Sequence, residues 1–181
     1  MSEGDSHLDL PVSPDQRAEW AVDLAKVPQV GGDESERTVF LFRVGAEWFG
    51  LDPAAFAATL PDARPRRLPH RRNSLVDGVV VFDGRVVACL SLERFFKLLP
   101  ASAEGSVSRL IVFQWKDWIF AARVDEALGV EEFREADLSP LSQTASDLMR
   151  RCASGVILHR KRAVTCLEAE PLMQELEASL Q

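Results

Sequence analysis

The sequence lacks the features that mark membrane-spanning and exported chains. No apolar run approaches the ~18 residues that a bilayer-spanning helix needs. The acidic opening MSEGD has neither the basic nor the apolar segment of a signal peptide. Because 46% of the 181 residues are hydrophobic and 27% are charged, the composition is that of an ordinary globular protein. We therefore expect a cytoplasmic protein with one or two compact units.

The sequence is also poor in residues for catalysis and metal binding. Its three cysteines include no Cys-x-x-Cys pair, so we expect reduced thiols and no zinc site. Its three histidines lie far apart, and there is no glycine-rich phosphate loop or nucleophile elbow. These absences predict no enzyme, no metal and no cofactor. One catalytic alternative stays open, a hydrolase in which Cys152 is the nucleophile and His159 its base.

Charge is distributed unevenly along the chain. Residues 1–36 contain nine acidic and two basic residues, which leaves 28 − 9 = 19 acidic and 21 − 2 = 19 basic residues in the other 145. The N-terminal tail is therefore acidic and the body is neutral. A neutral body argues against a dedicated nucleic-acid-binding protein, because the affinity of such proteins depends on many phosphate contacts.

The acidic tail, residues 1–37, is expected to hold a short helix and a linker. The run SPDQ at residues 13–16 is typical of a capped helix start with proline at the first helical position. Pro28 ends the apolar face that follows. Residues 31–36, GGDESE, predict a flexible charged linker. The helix could pack on its own domain or dock on a partner.

From Thr38 onward, short apolar runs separated by turn residues predict an all-β body. Three hairpins are expected, which pair residues 39–44 with 48–51, 75–82 with 85–92, and 109–114 with 118–124. Asp83-Gly84 suits the type I′ turn of the second hairpin. Further strands are expected at 128–133, 155–158 and 163–167.

Short helices complete the predicted body. Asp52 and Pro53 suit the first two positions of a brief helix over residues 52–56. A helical turn is expected around Leu148 and Met149. At the C-terminus, leucines recur every four residues from Leu172, which predicts a helix.

An internal repeat relates the two halves of the body. The segment from Gly78, GVVVFDGRVVACLSLERFF, aligns with the segment from Gly155, GVILHRKRAVTCLEAEPLM, at an offset of 77. Cys89 and Cys166 occupy matched places and are expected to be small core residues. Each copy is near the lower size limit for burying a core alone, so the two copies are expected to pack together.

A basic loop lies between the first and second hairpins. It contains Arg64, Arg66, Arg67, Arg71 and Arg72. Such a cluster could bind an acidic protein surface, the acidic tail of the same chain, or a phosphate backbone. Because no aromatic residues for base stacking are interleaved with the arginines, a protein or intramolecular contact is favoured over nucleic acid.

With these hairpins and the repeat in place, the sequence resembles the CheW family, the adaptors that couple chemoreceptors to the histidine kinase CheA. The resemblance covers residues 38 to about 178. It rests on the order and spacing of VFLFRVGAEWFGLD, Leu68-Pro69, GRVVACLSLERFF, RLIVF, ARVDEALGV and GVILHRKRAVTCLEAEPLMQEL. The run LPHRR is also similar to adaptors of alternative chemosensory systems such as Wsp.

The resemblance implies a fold and a division of the chain. Family members have two five-stranded SH3-like β-barrels around a shared core, with short helices that include a C-terminal one. We therefore expect a CheW-like domain at residues 38–181. Its first barrel would span about 38–100 and its second barrel about 108–181.

The resemblance also implies contact residues, with departures from the family pattern. The family's Asn-Leu-Arg-Gly turn, tied to receptor and kinase coupling, is matched here by Val81-Phe82-Asp83-Gly84, so the arginine is replaced by Asp83. A glutamate that contributes to kinase binding is matched by Ala58, and a hydrophobic contact position by Phe56. The implied partner-binding set is Phe56, Ala58, Val79, Val81, Asp83 and Arg85. Asp83 either marks diverged partners or is only a good turn residue.

The implied function is that of a non-enzymatic adaptor. Its expected partners are the regulatory domain of a CheA-type histidine kinase and the cytoplasmic hairpin tip of a chemoreceptor. Membrane contact would then be indirect, through receptor arrays, and no nucleic acid would be bound. The alternatives are an SH3-like nucleic-acid-binding module that uses the Arg64–Arg72 loop, and a scaffold unrelated to chemotaxis.

Overall fold

The computed structural model describes residues 36–60, 64–69, 73–99 and 108–181. Within this part there are ten strands, and nine of them lie where the sequence predicts strands. They are β1 (Glu36–Val44), β2 (Glu47–Leu51), β3 (Phe56–Leu60), β4 (Val76–Phe82), β5 (Arg85–Leu90), β6 (Arg109–Trp115), β7 (Trp118–Val124), β8 (Glu126–Arg134), β9 (Ala153–His159) and β10 (Arg162–Leu167). The expected tail helix and linker lie outside the described residues.

The helices are short except for the last. They are α1 (Leu92–Phe96), α2 (Asp147–Cys152) and α3 (Ala169–Leu180), with 3-10 turns at Pro53–Ala55 and Glu135–Asp137. The C-terminal helix and the turn near Leu148 are confirmed. None of the helices in the described part is long and apolar enough to cross a membrane.

Two local expectations were wrong. The helix expected over residues 52–56 is only a 3-10 turn, capped by Asp52, whose Oδ1 accepts from the Ala54 N–H at 2.8 Å. Phe56 already begins β3, because this segment pairs antiparallel with β6. The strand expected to run to residue 92 ends at Leu90. Ser91 instead caps α1, and its Oγ accepts from the Arg94 N–H at 3.2 Å.

The strands form two five-stranded sheets, which confirms the expected all-β class. The first sheet has the order β8-β1-β2-β10-β9, and the second has the order β3-β6-β7-β5-β4. Each sheet curls around its own interior cluster of apolar side chains. In the second sheet, Leu60 and Phe82 come from the two opposite edge strands and pack on one cluster, so the curled sheet encloses a barrel-like interior.

The internal repeat is confirmed strand by strand. β9, β10 and α3 begin 77 residues after β4, β5 and α1, respectively. The two hairpin turns have nearly the same backbone, with φ of 48° at both Asp83 and Arg160. The equivalent interior positions are buried in both sheets: Val80 and Ile157, Val87 and Val164, Cys89 and Cys166.

The sheets exchange their hairpins between the two copies of the repeat. β1 and β2 join β9 and β10 through the parallel pair Cys166 and Gly50, and β8 pairs antiparallel with β1. β6 and β7 join β4 and β5 through the matched parallel pair Cys89 and Ala121, and β3 pairs antiparallel with β6. The expected barrels of residues 38–100 and 108–181 are therefore corrected. Each sheet takes strands from both ranges. The parallel pairs join strands that are distant in sequence, since parallel neighbours cannot be linked by a short turn.

A shared core lies between the two sheets. The rings of Phe42 in β1 and Phe113 in β6 are 5.5 Å apart, so the exchanged hairpins meet at its centre. Leu172, Met173 and Leu176 of α3 are buried against the same cluster. This core positions the two hairpins β4–β5 and β9–β10 on the outside.

Candidate protein-interaction site

The outer face of the β4–β5 hairpin presents a pair of apolar side chains to solvent. Val81 and Val86 lie directly opposite each other across the hairpin. Their side chains are 67% and 71% exposed. Burying such a pair costs no hydrogen bonds and releases ordered water. The hairpin is therefore suited to a contact with another apolar surface.

The tip of this hairpin has the turn that the sequence predicts. Asp83 and Gly84 have φ of 48° and 69°, which is the type I′ geometry that matches the twist of the strands. Asp83 is exposed at the tip. Arg85 is exposed too, but it pairs with the inward-facing Phe82. Opposite residues share a face of the sheet, so Arg85 lies on the face away from Val81.

Two of the six implied contact residues lie elsewhere. The Phe56 ring stacks on Phe40 with 4.3 Å between centroids, so it is half-buried against the shared core. Ala58 packs on the interior cluster of the second sheet. β3 and β4 are opposite edges of that sheet. The fold therefore groups Val79, Val81, Asp83 and Arg85 on one hairpin and leaves Phe56 and Ala58 outside this group.

The basic loop runs along the base of the same hairpin. The Arg66 N–H donates to the Val79 carbonyl at 2.8 Å, and the Val79 N–H donates to the Arg66 carbonyl at 2.9 Å. A Cβ at Gly78 would collide with the Arg66 carbonyl, so glycine is needed for this close approach. Arg64, Arg66 and Arg67 are exposed, whereas Arg71 and Arg72 lie outside the described residues. Two features that are separate in sequence thus form one surface.

Neither Val86 nor the equivalent surface on the β9–β10 hairpin is predicted from the sequence. There Leu158 is 77% exposed and lies opposite Ala163. Arg160 and Lys161 form the tip. The 77-residue repeat could have predicted this surface, because it aligns Leu158 with Val81 and Arg160 with Asp83. Val86 follows from the hairpin register once the turn is placed.

An ionic cluster lies beside the second tip. Glu131 of β8 is 3.3 Å from the Arg160 guanidinium and 3.8 Å from the His159 Nε2. The Arg162 guanidinium lies 4.6 Å from the centre of the Trp48 ring, a cation–π geometry. Glu131 and His159 stand where the other sheet has Leu60 and Phe82, so the two sheets differ chemically at the same end.

The catalytic alternative finds no support in the geometry. Cys152 precedes β9 and His159 ends it, so about 20 Å of extended strand separates them. Burial raises the pKa of the Cys152 thiol to about 11, the opposite of an activated nucleophile. Burial likewise raises the pKa of Cys89 and Cys166 to about 11.

Cofactor and metal ligands are likewise not assembled. Within residues 36–60, 64–69, 73–99 and 108–181, no three His, Cys, Asp or Glu side chains are placed to hold a metal ion. The polar side chains at both hairpin tips are charged groups in solvent. What the arrangement can do chemically is present apolar pairs flanked by charge to another macromolecule.

Comparisons with known proteins agree with this arrangement. The scaffolding protein TtCheW from Thermoanaerobacter tengcongensis has a similar structure, with a TM-score of 0.60 and 16% sequence identity over 74% of this chain and 89% of that one. At this identity, the likeness shows the fold. No curated protein matches the chain significantly. The family model for the CheW-like domain matches residues 38–177, and the chain therefore belongs to the CheW-like domain family.

Proposed function

We propose that the chain is a non-enzymatic adaptor that couples chemoreceptors to a CheA-type histidine kinase. The observation that carries this proposal is the match of the CheW-like domain over residues 38–177. The proposed partners are the regulatory domain of the kinase and the cytoplasmic hairpin tip of a receptor. The protein itself would act in the cytoplasm and reach the membrane only through receptor arrays.

The proposed contact surface is the β4–β5 hairpin with the basic loop beside it. Val81 and Val86 would supply the apolar centre of the interface, because their side chains are largely exposed and lie side by side. Arg64, Arg66 and Arg67 would supply a charged rim, which affects association rate and partner choice more than affinity. Two sheets packed on one core can hold two partners in fixed positions, and coupling needs no other chemistry.

Asp83 sets the expected chemistry of the partner. At the position of the family's coupling arginine, this chain has an exposed carboxylate. A partner that fits Asp83 would present a basic group or a hydrogen-bond donor. A partner adapted to arginine would present an acidic group, which the Asp83 carboxylate repels. Asp83→Arg therefore distinguishes two hypotheses. If the partner is matched to Asp83, the variant binds more weakly; if Asp83 serves only the turn, binding is unchanged.

The test measures binding of the full chain to a kinase regulatory domain and to a receptor tip by calorimetry. Val81→Asp is expected to weaken kinase binding about tenfold or more, because it buries a charge in an apolar contact. Val130→Asp is the matched control, since Val130 of β8 is a half-exposed valine outside this hairpin. Equal affinities for both variants would remove the hairpin from the proposed interface.

Nucleic-acid binding by the basic loop is the competing function. Its signature is a steep loss of affinity with salt, because each phosphate contact releases a counterion. A titration with single-stranded RNA at two salt concentrations tests it. Tight, salt-dependent binding that is lost on Arg66→Glu would favour this function over the adaptor.

A further inference from the structure

The first strand, β1, extends beyond the strand beside it. It pairs with β8 from its first residue, Glu36, but its pairing with β2 begins only at Phe40, opposite Leu51. β2 and the parallel strand β10 both end at this level, at Leu51 and Leu167. Within the described part of the chain, one side of residues 36–39 therefore has no strand beside it.

This open side of β1 presents backbone hydrogen-bonding groups. Successive residues of an antiparallel strand direct their N–H and C=O groups to alternate sides. The Arg43 carbonyl accepts from the Asp125 N–H at 2.8 Å, just before β8, so the odd-numbered residues of β1 face β8. Thr38 and Glu36 therefore direct their backbone groups to the open side, as the edge of a sheet does.

A cavity of about 460 Å³ lies where the next strand would be. Its walls are the open stretch of β1, Asp52 at the end of β2, the junction of β10 with α3, and the aromatic side chains of Trp115 and Phe133. Because β2 separates β1 from β10, these two strands are about 9.6 Å apart, which is two strand spacings. The gap beyond β2 therefore fits one extended segment.

Trp115 adds an unused donor to this cavity. Its indole Nε1 is buried and has no hydrogen-bond partner among the described residues. Buried donors without an acceptor are rare in folded proteins, so each one needs an explanation. Since Trp115 is part of the cavity wall, the carbonyl of a bound segment would supply the acceptor.

The charge of the cavity favours a basic segment. Its lining includes four acidic residues and one basic residue, which are Glu36, Asp52, Glu168 and Glu170, and Arg37. Arg37 is held by Glu135 at 2.9 Å, and Lys116 is held by Glu170 at 2.9 Å. The balance stays negative when Lys116 is counted, together with the half positive charge of the α3 N-terminus. The tail is a poor occupant, because residues 1–35 contain eight acidic and two basic residues.

We propose that this cavity binds an extended segment of a partner protein that contains lysine or arginine, and that the segment adds a strand to the open side of β1. Thr38 exchanges backbone hydrogen bonds with the segment, and Trp115 donates its Nε1–H to a segment carbonyl. A basic side chain lies against Glu36 and Glu168, with its alkyl stem on Phe133. The cavity shares no residue with the β4–β5 hairpin, so this proposal does not rest on the adaptor function.

The experiment titrates the full chain at low salt with synthetic peptides, without kinase or receptor, and follows binding by NMR of the N–H groups. The probe is the capped peptide Thr-Val-Lys-Val-Lys-Val-Thr. It should shift the signals of residues 36–39 and of the Trp115 indole N–H, which Trp115→Phe identifies. The same peptide with glutamate in place of both lysines should bind at least tenfold more weakly.

Two methylated probes distinguish strand addition from charge attraction. One carries N-methyl groups on both lysines, and the other carries them on the valines. Alternate residues of a strand direct their N–H groups to opposite edges, and only one edge meets β1. One methylated probe should therefore bind about tenfold more weakly than the parent peptide, and the other should bind about as well as the parent.

Variants of the chain test the same contacts. Thr38→Pro removes the N–H on the open side and keeps the β1–β8 hydrogen bonds, so it should abolish binding. Glu36→Gln with Glu168→Gln should weaken binding about tenfold. Glu47→Gln with Glu177→Gln, exposed positions outside the cavity, is the matched control and should bind as the wild type does. Thermal unfolding shows that each variant is folded, and the glutamine variants and methylated probes decide the test if Thr38→Pro is not.

The proposal is wrong if the lysine probe does not bind, if both methylated probes bind as the parent does, or if the shifted signals lie outside the cavity. Equal binding by the two glutamine double variants would also contradict it. The same shifts on raising the protein concentration without peptide would make a second copy the occupant, which overturns the choice of a partner protein. Because no kinase or receptor is present, these outcomes are independent of the proposed adaptor function.

Discussion

The two curled sheets are built on the same positions but differ at one end. Their interiors use matched residues, such as Cys89 and Cys166. At the end near the hairpin tips, the second sheet closes with apolar Leu60 and Phe82, whereas the first has Glu131 and His159. The two copies of the repeat therefore have similar residues at interior positions and different residues at positions near solvent. Only the interior positions must pack closely enough to exclude water.

The sheets are alike in a second respect, because each is completed by a hairpin from the other copy of the repeat. β1 and β2 lie next to β10, and β6 and β7 lie next to β5. An exchanged hairpin makes each sheet depend on both halves of the chain. We therefore expect the two sheets to fold together in one transition. The side chains at the two hairpin tips, in contrast, can differ without affecting this coupling.

The largest effect is expected from cutting the chain between the halves. A fragment of residues 1–107 contains β3 without its partner β6, and β2 without its partner β10. It should show no cooperative thermal unfolding by circular dichroism, and neither should residues 108–181. Mixing the fragments should restore a transition. In contrast, removal of residues 1–35 should leave the transition nearly unchanged, and a fragment that folds alone would refute the coupling.

A core substitution tests where the two sheets are joined. Phe42 is fully buried beside Phe113, so Phe42→Ala should lower the free energy of unfolding by about 4 kcal/mol. Phe82→Ala removes the same atoms from a half-buried site at the end of one sheet and should cost about half as much. Urea unfolding measures both. Equal losses would mean that the shared core is no more important than the barrel ends.

Exchanging the two end pairs tests whether the chemical difference is neutral for stability. Leu60→Glu with Phe82→His should destabilise by about 2 kcal/mol, because it places polar groups against an apolar cluster. Glu131→Leu with His159→Phe should be neutral or stabilising by about 1 kcal/mol, since the His159 Nε2 is buried without a hydrogen-bond partner among the described residues and the Glu131–Arg160 ion pair that is lost involves a largely exposed guanidinium. Urea unfolding at neutral pH compares them. A large loss in the second variant would show that the ionic cluster is structural.

The smallest effect is a pH dependence shared by both sheets. Burial raises the pKa of Cys89 and Cys166 in the folded protein to about 11 from an ordinary value of 9.0. The unfolded chain therefore loses thiol protons first. The stability from this source is complete below pH 9 and is lost between about pH 9 and 11. Each thiol contributes at most about 1.4 kcal/mol per pH unit.

Urea unfolding at several alkaline pH values measures this slope. Cys89→Ala and Cys166→Ala should reduce it by similar amounts, because the two thiols hold matched interior positions. The chain contains no tyrosine, so no phenol ionises in the same range. A reduction in only one variant would mean that the two interiors are not equivalent.

Local pattern was enough for most elements but not for those set by distant pairing. The Asp83-Gly84 turn, the C-terminal helix and the 77-residue repeat were all readable, because each depends on neighbours in sequence. Phe56 was expected in a helix, since the Asp52-Pro53 start is a strong local signal. It lies in β3 because pairing with β6, more than 50 residues away, overrides that signal.

The sequence by itself determined the all-β class, the hairpins with their turns, the repeat and the family. These follow from apolar periodicity and turn chemistry, which act over a few residues. Only the tertiary structure decided that the repeats exchange hairpins, that Ala58 lies inside while Val86 lies outside, and that the basic loop joins β4 at Val79. These features depend on which strands become neighbours. Hydrogen bonding between strands that are distant in sequence cannot be predicted from the local sequence pattern of either strand.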